Sequence, residues 1–309
     1  MKVSFVVPLF NCLEITQTCI ETLRATLPRD LSYEIILVDD GSTDGTRAWL
    51  ATLGAPFKVV LNERNLGYAG ANNRGAQKAT GEFLALANND LRFDVPWIEP
   101  MLGCFSKKQD AGLVGNVQYN LRTLEWDHTG IYFNLKGKPE HDHSLPSRFS
   151  LCLKPYKSVD AVTGACMLVR RQTYVELGGF DEGYLNGCED VDLCLRGRQK
   201  GLMSYVALRS VVAHHISASP GRKHRDEQNT RRLVSIWRGT IARLAARNWC
   251  RHYLDLHRLN PSRGDPVLLR KCRRHLRNIS PNPPGVSVQA IEAALAVEEE
   301  RWQQLLGAP

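Results

Sequence analysis

The 309-residue sequence lacks the marks of several large protein classes. Its nine cysteines include no Cys-x-x-Cys pair and no even framework, which argues against zinc ribbons and disulfide scaffolds and favours reduced thiols in a cytoplasmic protein. No apolar stretch is long enough to span a bilayer. The few apolar residues after Lys2 are followed by no small-residue cleavage site, so we expect no signal peptide.

Two nucleotide-binding fingerprints are also missing. No Gly-x-x-x-x-Gly-Lys-Ser/Thr phosphate loop occurs, and no Gly-x-Gly-x-x-Gly follows the first predicted strand, which disfavours ATP hydrolysis and NAD chemistry. An enzyme that makes sugar nucleotides by nucleotidyl transfer would want a Gly-rich loop bearing Lys or Arg after the same strand. Residues 8–16 (PLFNCLEIT) lack such a loop, so this class is disfavoured as well.

What is present describes a folded protein with a moderate positive charge. The chain is 43% hydrophobic and 23% charged, which is ordinary for a soluble domain, and its length allows one large or two modest domains. Lys and Arg number 40 against 32 Asp and Glu, for a net charge of +8. Such an excess suits an anionic small molecule, an anionic membrane surface or nucleic acid, and it does not select among them.

Short apolar runs alternate with helical patterns along the first half of the chain. Strands are predicted at 3–8, 33–38, 57–61 and 83–87, and helices around 15–23 and at 46–53 and 69–80. Strand–helix alternation with short links predicts a doubly wound sheet whose strands run parallel in this half.

Polar residues follow three of these strands: Pro8 to Asn11, Asp39-Asp40, and Asn88-Asn89-Asp90. Because parallel strands share a direction, all three clusters are expected at one edge of the sheet, where α/β folds bind ligands. The other interpretation is that Asp-Asp-Gly-Ser and Asn-Asn-Asp are ordinary turns, since these residue types favour turns.

Five segments, in this order, carry a resemblance to a known family: FVVPLFN, ILVDDGSTDGT, ERNLGYAGANNRGAQKATGEFLALANND, VTGACMLVRR and GGFDEGYLNGCEDVDLCLRGRQKG. Together they resemble family 2 glycosyltransferases with the GT-A fold, especially the bacterial rhamnosyltransferase-like branch, over roughly residues 2–219. The resemblance implies an α/β, doubly wound mixed sheet, a nucleotide-sugar donor, a divalent cation (Mn²⁺ or Mg²⁺) and inversion at the anomeric carbon. The expected acceptor is a glycan or lipid-linked glycan in cell-surface polysaccharide synthesis.

The resemblance also implies roles for residues on the donor side. Asp90 and His214, with His215 as the fallback, are expected to hold the cation. The residues expected to bind the nucleotide-sugar are Pro8, Phe10, Asp39, Asn65, Gly67 and Asn89. The sequence departs from the family's Asp-x-Asp pattern, because Asn88 replaces the first carboxylate. This departure supports an alternative, a nucleotide-sugar-binding protein that has lost transfer activity.

On the acceptor side the resemblance assigns the general base to Asp190, with Glu189 orienting the acceptor or the base. A sugar hydroxyl is a poor nucleophile until its proton is being removed, and a fixed carboxylate within hydrogen-bond reach can remove it. The structural alternative is that both acids only complement the dipole at the start of a helix.

The remaining segments are less distinctive. A helix is predicted at 95–107, a strand at 112–117 and a hairpin at 119–136, followed by a polar surface loop at 139–157. His141, Asp142 and His143 in that loop also allow a metal-site interpretation. From residue 220 the composition changes to a charged linker or lid, and then to helices at 231–249, 265–277 and 286–306.

We therefore predict a GT-A domain at 1–219, with a nucleotide-sugar half at 1–110 and an acceptor half at 111–219, and a basic helical extension at 220–309. The extension either packs on the catalytic domain or rests on anionic lipid. The predicted location is cytoplasmic, or peripheral at the inner membrane face. Nucleic acid is not an expected partner.

Overall fold

A computed structural model describes residues 1–145, 153–215, 222–258 and 264–307, without the side chains of 222–224. The chain forms two compact units, one of Met1–Ile131 with His141–Arg222 and one of Tyr132–Glu140 with Lys223–Pro309. The second unit therefore includes residues 132–140, which the sequence analysis assigned to the first domain.

The strands are, in chain order, β1 (Lys2–Leu9), β2 (Ser32–Asp39), β3 (Phe57–Leu61), β4 (Phe83–Ala87), β5 (Leu91–Phe93), β6 (Ala111–Asn120), β7 (Trp126–His128), β8 (Ile131–Phe133), β9 (Pro139–His141), β10 (Tyr156–Val159), β11 (Cys166–Arg170) and β12 (Met203–His214). The helices are α1 (Leu13–Ala25), α2 (Thr46–Leu50), α3 (Gly67–Lys78), α4 (Ile98–Lys107), α5 (Arg171–Glu176), α6 (Glu189–Gln199), α7 (Arg222–Leu256), α8 (Pro266–Leu276) and α9 (Gly285–Leu306).

One mixed sheet organises the first unit. Its order is β10-β12-β6-β11-β4-β1-β2-β3, with β5 added on β12 and β7 on β6, while β8 and β9 pair with each other. The strands predicted as parallel are parallel: β1 lies between β2 and β4, and β2 pairs with β3. All five residues of β4 are buried, as expected for a strand covered on both faces.

Antiparallel β11 brings the middle of the chain to the edge where β1, β2 and β4 end. Because β11 pairs with β4 in the opposite direction, its first residue, Cys166, lies beside the last residue of β4, Ala87. The backbone N–H of Asn88 then donates to the carbonyl of Ala165 at 2.9 Å. Helix α3 packs so close to the sheet that only glycine fits at position 75. A Cβ on Gly75 would come within 2.3 Å of Val6 Cγ1.

The second unit contains α7, α8, α9 and the tip of the β8–β9 hairpin. Lys138 in that tip pairs with Glu227 of α7 at 3.3 Å and with Glu298 of α9 at 2.9 Å. Trp302 of α9 is fully buried, and its indole N–H donates to Glu227 at 2.6 Å. These contacts hold the hairpin tip and the two helices together.

The charged segment from residue 220, predicted as a linker or lid, is helical from Arg222 onward, so that prediction is wrong for the described residues. Its Arg, Lys, Glu and Gln residues are good helix formers, and the contacts of Glu227 anchor the helix. In the part of the chain that the structure describes, none of the helices is both long and apolar enough to cross a membrane.

Candidate active site

The loop after β1 presents an exposed aromatic ring. Phe10 is 49% exposed and directly follows β1, which contains Pro8. The backbone N–H of Asn11 donates to Ser42 Oγ at 2.8 Å, and the Asn11 side-chain oxygen accepts from the N–H of Thr43 at 2.8 Å. These bonds tie the loop after β1 to the loop after β2, which fixes the backbone that carries Phe10. An exposed ring on a fixed backbone can stack on a base.

Asp39, the last residue of β2, is fully buried. Its carboxylate accepts from Arg47 Nε at 2.7 Å and from the backbone N–H of Ser42 at 3.3 Å. Arg47 also donates to the carbonyl of Asn62. Asp39 therefore organises the loop through groups of the chain itself, in addition to the nucleotide contact predicted for it.

The carboxylate of the adjacent Asp40 accepts hydrogen bonds from the backbone at the start of helix α3. Its carboxylate accepts from Asn62 Nδ2 at 2.8 Å and from the backbone N–H groups of Leu66 and Gly67 at 2.9 Å each. The Gly67 N–H also donates to Asn65 Oδ1 at 2.9 Å. The backbone N–H groups of Leu66 and Gly67, at a helix start where nucleotide-sugar binding was predicted, are thus already paired with side-chain oxygens.

The predicted cation ligands lie side by side. Asp90 precedes β5, His214 ends β12, and the pairing of these two strands brings Asp90 Oδ1 within 3.3 Å of His214 Nε2. Both Asp90 Oδ1 and His214 Nδ1 are buried atoms without a hydrogen-bond partner among the described residues, and so is Asn88 Oδ1. Carboxylate and amide oxygens and imidazole nitrogen are suitable ligands for Mn²⁺, so these side chains fit a divalent cation.

Two neighbours of this pair are arranged differently. Asn89 donates its side-chain N–H to Thr16 Oγ1 of α1 at 2.8 Å, so its amide is bound within the fold. His215, the fallback ligand, donates its backbone N–H to the carbonyl of Asp90 at 2.8 Å, which fixes the loop beside His214. Across residues 1–145, 153–215, 222–258 and 264–307, no three His, Cys, Asp or Glu side chains are arranged to hold a metal ion.

Asp190, at the start of α6, is held by two backbone donors. Its Oδ2 accepts from the N–H of Gly164 at 2.6 Å, and its Oδ1 accepts from the N–H of Val191 at 2.7 Å. The carbonyl of Gly164 accepts from the Tyr68 hydroxyl at 2.6 Å. Gly164 is one residue from Ala165, which accepts a hydrogen bond from Asn88 at the end of β4. Asp190 therefore lies at the same sheet edge as the end of β4.

Glu189 is buried beside Asp190, with only 5% of its surface exposed. Burial and the charge of Asp190 together raise the pKa of Glu189 to about 8, and burial also raises the pKa of Asp190. Glu189 Oε2 accepts from the N–H of Gly187 at 2.6 Å. Asn186 and Cys188 have left-handed backbone, with φ of 56° and 69°, so a strained turn leads into the two acids.

Strand β7 contributes two residues, Asp127 and His128, that the sequence pattern did not indicate. His128 is fully buried, its ring meets that of His141 at 4.8 Å, and burial lowers its pKa well below the usual range. Asp127 Oδ2 lies 4.0 Å from His214 Nδ1. Asp142, the carboxylate of the His-Asp-His segment at 141–143, forms an ion pair with Lys157 at 2.7 Å. The short strands here give no clear periodicity, so only the pairing of β7 reveals these residues.

The fold and the sheet edge together define a class: an α/β domain of the GT-A type. Its sheet edge carries the adjacent side chains of Asp90 and His214, the fixed carboxylate of Asp190 and the exposed ring of Phe10. Residues 4–178 match the family described as "Glycosyl transferase family 2". The chain belongs to this family.

Two bacterial relatives have names that describe their roles. The "O-antigen biosynthesis protein RfbC" of Myxococcus xanthus is 30% identical over 230 residues, which cover 71% of this chain and 18% of that protein. The "N-acetylglucosaminyl-diphospho-decaprenol L-rhamnosyltransferase" of Mycobacterium tuberculosis is 27% identical over 218 residues, 64% of this chain and 71% of that protein. The chain thus spans less than a fifth of the length of RfbC.

A solved structure shares the fold. The crystal structure of GalNAc-T7 with UDP, GalNAc and Mn²⁺ superimposes with a TM-score of 0.63 at 19% identity and covers 90% of this chain and 54% of that one. The likeness establishes the GT-A fold with its mixed sheet, as the resemblance implied.

Proposed function

We propose that this chain is an inverting glycosyltransferase that moves a sugar from a nucleotide-sugar donor to a hydroxyl of a glycan or lipid-linked glycan in surface-polysaccharide assembly. The observation that carries the proposal is the carboxylate of Asp190, fixed by two backbone N–H groups at the sheet edge where β4 ends. The names of the O-antigen and rhamnosyltransferase relatives support the acceptor class.

On the donor side, Phe10 stacks on the base, and Asp39 and the loops after β1 and β2 receive the nucleoside. Asp90 and His214 would hold a divalent cation, which neutralises the charge that develops on the leaving nucleoside diphosphate. The Mn²⁺ in the GalNAc-T7 structure supports this choice of cation. Asn88 Oδ1 is a further oxygen available to the cation or to the ribose.

On the acceptor side, Asp190 removes the proton of the attacking hydroxyl. The new carbon–oxygen bond forms at the anomeric carbon opposite the leaving diphosphate, the bond to the diphosphate oxygen breaks, and the proton ends on Asp190. Burial and the neighbouring charge raise the pKa of Glu189, and two backbone N–H groups stabilise the carboxylate of Asp190, so we expect the pair's negative charge on Asp190.

Asp190→Asn tests this role. The amide keeps the shape of the side chain but cannot take up the proton, so sugar transfer should fall by about 10²- to 10⁴-fold while donor binding persists. Transfer is measured by release of nucleoside diphosphate and donor binding by thermal shift. Glu176→Gln, which removes an exposed carboxylate, is the matched control. Transfer at the wild-type rate by Asp190→Asn would remove Asp190 from the mechanism.

A second candidate is a nucleotide-sugar-binding protein without transfer activity. It is favoured by Asn88, which replaces the first carboxylate of the family's Asp-x-Asp pattern. Nucleotide sugars that raise the melting temperature of the wild-type protein, without transfer and without slow donor hydrolysis, would select this candidate.

We also propose that the second unit touches an anionic membrane surface through helix α8. Five exposed cations lie on or just after this helix: Arg270, Lys271, Arg273, Arg274 and Arg277. Residues 266–291 contain no acidic residue to balance them. Val267 and Ile279, 57% and 55% exposed, add apolar side chains near its two ends. Cations flanked by exposed aliphatic groups match the interface of an anionic bilayer.

Vesicle sedimentation tests this contact. Each cation near an anionic surface contributes about fivefold in affinity, so the triple variant Arg270→Gln, Arg273→Gln, Arg274→Gln should bind phosphatidylglycerol-containing vesicles on the order of 100-fold more weakly. The control variant Arg29→Gln, Lys78→Gln, Lys107→Gln removes the same charge from exposed positions of the first unit.

An equal loss in both variants would contradict a specific role for α8. Binding to a duplex oligonucleotide that depends on α8, without binding to vesicles, would point to nucleic acid instead.

A further inference from the structure

We infer that Asp127 is a positioning residue that holds the His214 ring so that its Nε2 faces the cation site at Asp90. The inference rests on the proposed role of His214 as a cation ligand and adds a residue that carries no assigned role. The His214 imidazole ring lies between the carboxylates of Asp90 and Asp127.

Strand pairing creates this arrangement. The last residue of β12, His214, is paired with Leu91 of β5 on one side and with Asn120 of β6 on the other. Asp90 immediately precedes β5, and Asp127 lies on β7, which pairs back on β6. The two carboxylates therefore reach the ring from opposite flanks.

The distances assign a different nitrogen to each carboxylate. His214 Nε2 lies 3.3 Å from Asp90 Oδ1, and His214 Nδ1 lies 4.0 Å from Asp127 Oδ2. The three side chains are only 15%, 19% and 24% exposed for His214, Asp90 and Asp127, so water screens these interactions weakly. Nδ1 has no hydrogen-bond partner among the residues described, and 4.0 Å makes the Asp127 contact one of charge attraction.

The backbone holds Asp127 in place. Its carbonyl oxygen lies 3.2 Å from His141 Nδ1, and its neighbour His128 is fully buried and pairs with Gln118. Because the strand cannot easily shift, the carboxylate keeps its place beside the imidazole.

A neutral imidazole carries one proton and can ligate a cation only through its other nitrogen. A carboxylate facing Nδ1 favours the tautomer with the proton on Nδ1, which leaves the lone pair of Nε2 directed toward Asp90. Carboxylates in this position orient histidine ligands and raise their basicity, and losing them typically costs 10- to 100-fold in metal affinity. Asp127 is therefore expected to strengthen cation binding without touching the cation.

The experiment measures Mn²⁺ binding to the full chain, by the paramagnetic resonance signal of the free ion, for four proteins: wild type, His214→Asn, Asp127→Asn and Glu125→Gln. Glu125 is an exposed carboxylate two residues from Asp127, so its variant removes the same charge from the connection between β6 and β7. Asp127→Asn should weaken Mn²⁺ binding about tenfold or more, and Glu125→Gln should change it less than about twofold.

A spectroscopic readout separates orientation from general charge. Proton–nitrogen correlation spectra of the imidazole rings with bound Mg²⁺ should show the His214 proton on Nδ1 in the wild type, with the signal assigned by its loss in His214→Asn. In Asp127→Asn the Nδ1 resonance should shift or broaden, while Asp127→Glu, which restores a carboxylate, should recover part of the Mn²⁺ affinity.

The outcomes distinguish this inference from the function on which it rests. Absence of Mn²⁺ binding by the wild type, or unchanged binding by His214→Asn, would contradict the cation role of His214 itself. Weak binding by His214→Asn together with wild-type binding by Asp127→Asn would overturn only the role of Asp127. Equal losses in Asp127→Asn and Glu125→Gln would also overturn it, because charge alone would then explain the effect.

Discussion

Asp40 and Asp90 follow strands on either side of β1, at the same edge of the sheet, but the protein surrounds their carboxylates in opposite ways. Asp40 accepts hydrogen bonds from Asn62 and from two backbone N–H groups. Asp90 Oδ1 has no donor in the described chain and faces His214. The Asp40 carboxylate therefore stabilises a loop, whereas Oδ1 of Asp90 is available to a ligand.

Two buried glutamates repeat this contrast. Burial would raise the pKa of Glu34, but hydrogen bonds from Lys58, Ser4 and Thr80 outweigh it and hold the pKa well below the usual range. Glu189 receives little of this compensation, so burial raises its pKa to about 8. The first glutamate joins strands and the second lies at the proposed acceptor site. These two glutamates therefore differ in the donors around them and not in their burial.

The largest effect on stability is expected from Asp40→Ala. The change leaves Asn62 Nδ2 and the N–H groups of Leu66 and Gly67 without their acceptor, so the free energy of unfolding should fall by on the order of 3 kcal/mol. Urea unfolding followed by circular dichroism measures it. Asp30→Ala, at an exposed position, should change the free energy by less than about 0.5 kcal/mol. Similar losses of unfolding free energy in both variants would contradict the structural role of Asp40.

Glu189→Gln should give the next largest effect, and it depends on pH. The folded-state pKa of about 8 lies above the unfolded value near 4.5, so the protein loses stability as pH rises between these values. The amide cannot ionise, and the variant should therefore gain stability relative to the wild type between pH 5 and pH 8.

Urea unfolding at both pH values measures this gain. The exposed Glu21→Gln serves as control, because an exposed carboxylate should show no such gain. A constant difference between Glu189→Gln and the wild type at the two pH values would mean that Glu189 is ionised in the folded protein.

The smallest effect on stability is expected from Asp90→Asn. Because the described chain donates no hydrogen bond to Asp90 Oδ1, the free energy of unfolding should stay within about 0.5 kcal/mol of the wild type. Calorimetric titration should nevertheless show weaker Mn²⁺ binding. A large loss of stability would place Asp90 among the structural carboxylates, and unchanged Mn²⁺ binding would contradict its role as a ligand.

Local patterns predicted much of the first unit. The strands β1 to β4 and the helices between them are found where apolar runs and helical spacing predicted them, within a few residues. Local patterns were less informative for β7, β8 and β9, because each of these strands is three residues long. They also failed for residues 222–230, where charge indicated a linker and the contacts of Glu227 stabilise a helix.

The sequence by itself determined the alternation of strands and helices, the family, and the residue types at the strand ends, because these depend on short-range spacing. Only the tertiary structure decided the hydrogen-bond partners of these side chains: Thr16 Oγ1 for Asn89, the Arg47 guanidinium for Asp39, and the backbone N–H of Gly164 for Asp190. The physical reason is that a hydrogen-bond partner is chosen by strand order and register, and these follow from packing the whole sheet. A short stretch of sequence therefore does not predict these hydrogen-bond partners.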